Sequence, residues 1–209
     1  MAAKTIRQFQ GKGSFLLFLL GWVIFKVSGW HTKGVENIPV HPKAIGIFAP
    51  HTSIWDVFWM LSFMARHRKR ANWLVKSESH AGLLGLIIRR LGGVPVDRTR
   101  NTGLVQQVVE QIEQADKMYL VLSPEGTRAK TDSWKTGFYY IALEAGLTIT
   151  MTYVDYAKKE VGIGPTFTPS GHIEGDMALI RAFYDRVTPK HPELRSKCVV
   201  PPKVRSGAA

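Results

Sequence analysis

Apolar and polar residues change rhythm several times along the chain, and each change marks an element. Phe15 to Phe25 is an unbroken apolar run, preceded by Lys4, Arg7 and Lys12 and closed by Lys26. Its eleven residues fall short of the roughly 20 that a helix needs to cross the hydrocarbon core, even if Lys26 snorkels and Val27 to Trp30 extend the segment. A secretory signal peptide with Ser28-Gly29 as its processing site, a half-embedded anchor and a buried first helix all fit such a run. We adopt the anchor. This divides the chain into a membrane-associating segment, residues 1–34, and one domain, residues 35–209.

From Ala44 onward, short β-like runs alternate with stretches of helical period, the signature of an α/β domain. Ala44 to Ala49 reads as a buried strand ended by Pro50, and Ile54 to Ala65 as a helix with an aromatic face. Asn72 to Lys76 reads as a second strand, Gly82 to Leu91 as an apolar helix and Val94 to Val96 as a short extended piece. Leu104, Val105, Val108, Val109, Ile112 and Ala115 recur at steps of three and four, the clearest amphipathic helix in the chain. Met118 to Leu122 predicts a central strand, Phe138 to Ala145 a helix with Gly146 as its cap, and Thr148 to Tyr153 a further strand. Gly162 to Pro169 reads as a turn-rich passage and Asp176 to Val187 as a last helix.

Ligand groups in open α/β sheets gather on the loops beyond the carboxyl ends of strands. Two such loops are chemically loaded: Pro50-His51-Thr52-Ser53-Ile54-Trp55-Asp56 and Ser123-Pro124-Glu125-Gly126-Thr127-Arg128. On a straight helix His51 and Asp56 would stand about 140° apart and never meet. With Ser53 as N-cap, Asp56 takes the third helical position and His51 lies in the preceding loop, free to fold back onto it. Ser-x-x-Asp is also an ordinary capping pattern, so the spacing alone favours a structural role. The functional reading has Asp56 orient the imidazole so that His51 can accept a proton from a hydroxyl. The second loop has two readings as well. It is either a tight turn with an internal ion pair, or a site where Glu125 meets hydroxyls and Arg128 grips a phosphate, with Gly126 and Thr127 between them. Lys76 and Arg98, each just after a strand-like piece, can add charge from neighbouring loops.

The chain has 209 residues and a formal charge of +12, so anionic partners are attracted at long range. Apolar residues make up 45% and charged residues 21%, which excludes a disordered chain. A single cysteine, Cys198, excludes an internal disulfide and a cysteine metal cluster. The seven histidines show neither zincin nor finger spacing, so no metal is expected. No Gly-x-Ser-x-Gly elbow is present, which argues for direct transfer without an acyl-enzyme. The basic run Arg66 to Arg70 has no nucleic-acid motif beside it, and no nucleic-acid partner is expected.

Taken in order, HTSIWD, the GGVPVDR of Gly92 to Arg98, and SPEGTR resemble the blocks of the glycerolipid acyltransferase family. The resemblance extends through Trp134 to Gly146, DYAKKEVGIGP and DMALIRAFY, and so covers about Ala44 to Val187. It implies a mixed central sheet flanked by helices, with His51 as general base, Asp56 as its orienting partner and attack on an acyl thioester. It also implies that Arg98, Glu125, Gly126 and Arg128, with Lys76 heading the second block, bind a glycerol phosphate. The implied acceptor is a lysophospholipid, foremost 1-acylglycerol-3-phosphate giving phosphatidic acid. The implied donor is acyl-CoA or acyl carrier protein, with no further cofactor. The implied location is the cytoplasmic face of an anionic membrane, peripheral or monotopic, which lowers the signal-peptide reading. Acyl length and oligomeric state are left open. In two places the chain departs from the family pattern: Leu83 stands where proline is frequent, and Thr148-Ile149-Thr150 replaces a proline-containing apolar block. Another hydroxylated lipid acceptor, or a basic membrane-binding protein without catalysis, remains as an alternative reading.

Overall fold

The computed structural model describes residues 14–76, 85–86, 88, 92–97 and 103–202. Most of the helix expected over Gly82 to Leu91, together with Arg98, lies outside them. In chain order the elements are α1 (Phe15–Ser28), β1 (His31–Lys33), β2 (Lys43–Phe48), α2 (Ile54–Arg66), β3 (Trp73–Lys76), β4 (Gly93–Val96) and α3 (Leu104–Gln114). They continue with β5 (Met118–Leu122), α4 (Gly137–Glu144), β6 (Ile149–Asp155), β7 (Glu160–Phe167) and α5 (Ile173–Tyr184).

Five strands form a mixed sheet in the order β1-β7-β6-β2-β5, with only the β6/β7 pair antiparallel. A parallel β3-β4 pair joins the edge through Asn72, which bridges to Leu120 and exchanges backbone hydrogen bonds with Tyr119 and Val121. β2 and β6 are central and read as nearly continuous buried runs, as strands covered on both faces must. Their side chains alternate between two cores. Ile45, Ile47, Leu120, Ile149 and Met151 point to the layer of α3, α4 and α5, whereas Ala44, Phe48, Tyr119 and Val154 meet Trp59, Met60 and Phe63 of α2. The two threonines of β6 are fully buried because they find partners: Thr150 bonds Thr166 and Thr152 donates to the Ile47 carbonyl.

Two sequence expectations are corrected. The passage Gly162 to Pro169 is mostly strand, not turn, because its glycines serve close packing. A Cβ at Gly162 would lie 2.6 Å from the Lys33 carbonyl, and one at Gly164 would lie 2.4 Å from the Phe183 ring. β1 pairs in parallel with the same strand, β7. The last helix starts three residues earlier than expected, at Ile173, with the His172 ring accepting from Gly175 N.

The apolar run folds as α1, whose 14 residues span about 21 Å at 1.5 Å per residue. Among the described residues no helix is long and apolar enough to cross a membrane. Helix α1 lies along α2, with Phe25 and Ile24 packed against the Trp59 side of the core. Phe15, Leu16, Leu17, Leu19, Leu20, Val23 and Val27 stay exposed. The helices cross at Gly21, the only buried residue of α1, where a Cβ would lie 2.7 Å from Arg66 N. Gly21→Leu should therefore force α1 off α2 and cost roughly 1–3 kcal/mol, as overpacking does. Chemical denaturation of the full chain checks this.

Candidate active site

Three neighbouring parallel strands end on one side of the sheet and deliver the site. β2 runs parallel to both β5 and β6, so the loops after all three emerge together. The first carries His51 and Asp56, the second Glu125 to Arg128, and the third Tyr156.

Ser53 leaves extended backbone and caps α2. Its hydroxyl accepts from Trp55 N at 3.3 Å, and Asp56, at the third helical position, reaches back to Ser53 N at 2.8 Å. The same Asp56 Oδ2 accepts from Thr52 N at 2.8 Å and from His51 Nδ1 at 3.2 Å. Oδ1 accepts from the Tyr156 hydroxyl at 2.8 Å. Asp56 has no exposed surface. Its burial would raise the carboxyl pKa, but the hydrogen bonds from His51, Ser53, Tyr156 and Thr52 together outweigh it, and the group is held below its usual value. An ionised Asp56 can only accept, so Nδ1 carries the ring hydrogen and Nε2 keeps the lone pair. The His51 side chain is 16% exposed, partly sheltered yet reachable.

Glu125 opens the charged part of the second loop. It is buried, and its Oε2 accepts from the backbone N–H of His51 at 2.6 Å. The residue ties the second loop to the first and fixes the backbone that carries His51. Gly126 has φ +66, which suits glycine, and the Lys135 side chain folds over it, with its ammonium 2.7 Å from where a Cβ would be. Thr127 Oγ1 accepts from Ala129 N at 3.2 Å, and Thr127 and Arg128 are both exposed beside the site. Lys76 ends β3.

The structure thus joins His51, Asp56 and Glu125, and Gly126, Thr127 and Arg128 follow on the same loop as Glu125. The sequence reading missed three residues. Tyr156 lay in the DYAKKEVGIGP stretch of the resemblance, just after a strand, with nothing to give it a role. Lys135 gave only an isolated positive charge. Lys190, over the Trp55 ring at 5.1 Å, comes from the segment after α5. That segment is tied down by His191 N, which donates to Thr52 Oγ1 at 3.2 Å. Among the described residues no cluster of three His, Cys, Asp or Glu side chains is placed to hold a metal.

The loops thus hold a histidine bonded to a buried carboxylate, with a cation-bearing loop tied to them through Glu125. The Acyltransferase family model matches residues 30–154, and the chain belongs to that family. Among solved structures it is similar to the 1-acyl-sn-glycerophosphate (LPA) acyltransferase PlsC from Thermotoga maritima. That match has a TM-score of 0.55 and 18% identity, and covers 81% of this chain and 74% of that one. The shared fold is the mixed sheet flanked by helices described above. No curated protein matches the chain significantly.

Burial pushes the Glu125 carboxyl up to about 7, against the ordinary 4.5. A carboxyl with a raised folded-state pKa contributes stability in full below its unfolded value and loses it as pH rises through the folded one. Its contribution should therefore fall between pH 4.5 and about 7. Thermal melts across this range should show that decline in the wild type and a flatter course in Glu125→Gln.

Proposed function

We propose that the protein moves a fatty acyl group from a thioester, acyl-CoA or acyl carrier protein, to the hydroxyl of a lysophospholipid, foremost 1-acylglycerol-3-phosphate. The observation that carries this reading is the His51–Asp56 contact at 3.2 Å beside the exposed Arg128. Nε2 of His51 takes the hydroxyl proton as the oxygen attacks the thioester carbonyl. The new C–O bond forms, the C–S bond breaks, and the departing sulfur recovers the proton from the imidazolium, so the ring ends as it began. Asp56 stabilises the imidazolium while it lasts. Arg128 binds the acceptor phosphate through two parallel bonds, with Lys135, Lys76 and Arg98 adding positive charge. Gly126 lets the loop backbone approach the acceptor, and Thr127 offers a hydroxyl. The activity of the Thermotoga maritima neighbour supports the choice of acceptor.

The reaction takes place at the cytoplasmic face of a membrane, with the protein peripheral or monotopic. Exposed apolar residues of α1 continue onto α2 through Ile54, Trp55, Phe58 and Leu61, on the helix that begins at the base. The basic run Arg66 to Arg70 lies at the far end of α2, with the Arg66 guanidinium over the Phe18 ring of α1 at 5.4 Å. Such a surface suits an anionic leaflet, each cation near it adding on the order of 1 kcal/mol.

His51→Ala should lower turnover of a lysolipid and acyl thioester by roughly 10²-fold or more. If wild type and variant are equally inactive on every lysolipid while both bind vesicles, the protein is a membrane binder and not an enzyme. Arg128→Ala should raise KM for phosphorylated acceptors and leave a phosphate-free acceptor unaffected. Equal effects on both would remove the phosphate role.

A further inference from the structure

Tyr156 is the one side chain of the site that comes from the turn between β6 and β7, beyond the region that the family model matches. Its hydroxyl donates to Asp56 Oδ1, whereas every other hydrogen bond to that carboxylate goes to Oδ2. A carboxylate held through one oxygen can swing about its Cβ–Cγ bond. Held through both, its plane is fixed, and so is the direction in which it draws Nδ1 of His51. The surroundings of Tyr156 are built for this. Its backbone N–H donates to the Thr188 carbonyl at 2.8 Å, and the turn is braced by Lys158, whose N and Nζ both donate to the buried Asp155. The Trp30 ring meets the tyrosine ring edge-on at 5.1 Å and itself stacks on Trp59 of α2 at 4.0 Å. Burial and the Asp56 charge hold the phenol far above its ordinary pKa, so it remains a donor at every working pH.

We infer that Tyr156 is a positioning residue for the reaction proposed above: its hydroxyl locks the second oxygen of Asp56, and the Trp30 ring supports that lock from the segment that follows α1. The inference rests on the acyltransferase reading of His51 and Asp56. The charged or titratable groups that face Asp56 are His51 from its own loop, Tyr156 from the β6–β7 turn and Glu125, which acts electrostatically from the loop after β5.

Tyr156→Phe in the full chain keeps the ring and removes only the donor. Its kcat should fall about tenfold, the scale of a hydrogen bond to a charged group, with KM for donor and acceptor unchanged. The acid limb of its kcat–pH profile should move to higher pH, because the lost donor raises the Asp56 pKa. Trp30→Ala should reproduce part of both changes, and Trp30→Phe should restore them. A folded Tyr156→Phe protein with wild-type kcat and acid limb overturns the inference. If that variant does not fold, the Trp30 pair decides, and a folded Trp30→Ala protein that matches the wild type overturns it. A carbon-13 titration of the Asp56 carboxyl reads the same lock without turnover, and no upward shift on losing the hydroxyl counts against it. Wild-type protein that is inactive on every lysolipid would remove the acyltransferase reading, while this titration would still judge the hydrogen bond.

Discussion

A carboxylate cut off from water is tolerable only when its charge is matched, and Asp56 is where this fold meets that demand most fully. Burying an unpaired anion costs many kcal/mol, and here four donors answer it: two backbone N–H groups, one imidazole and one phenol. Because the donors outweigh burial, the group stays ionised, and an ionised Asp56 is what dictates the tautomer of His51. One oxygen, Oδ2, both caps the helix and holds the His51 ring.

The sheet explains why these donors converge. Parallel neighbours β6, β2 and β5 release their loops on the same edge, so residues 51, 125 and 156 meet although they are far apart in sequence. The two cores hold that edge in register. Odd positions of β2 pack under α3, α4 and α5, and even positions under α2, so a slip of one residue would turn both cores out together. At its foot α2 holds Asp56, and along its outer face it carries the apolar side chains Trp55, Phe58 and Leu61.

Much of this was legible in the sequence where a single physical signal dominated. The three- and four-residue recurrence of Val105, Val108, Val109 and Ile112 gave α3 almost to the residue, because an amphipathic helix is written in its period. Buried strands β2 and β5 were readable as apolar runs. β7 was not, because glycine and proline within it looked like turn chemistry, and only the close approach of Lys33 and Phe183 shows why glycine is required. In the site, His51 and Asp56 could be paired through the capping pattern, a local signal. The structural task of Glu125 and the presence of Tyr156 depend on contacts between distant loops, and no spacing in a single chain records those. The Acyltransferase family match from residue 30 covers the blocks from which the site was read, and leaves α1 and Tyr156 outside.

The hydrogen bond from His51 N to Glu125 starts on main chain, and a main-chain donor survives any replacement of the imidazole other than proline. The first and second blocks are thus joined at a point that substitution at position 51 does not sever, whereas a change at position 125 reaches the imidazole without touching it. Energetically the two loops form one coupled unit, in which the effects of separate substitutions do not simply add. A chimera that took one block from a relative and kept the other would inherit a mismatched contact beneath the His51 ring.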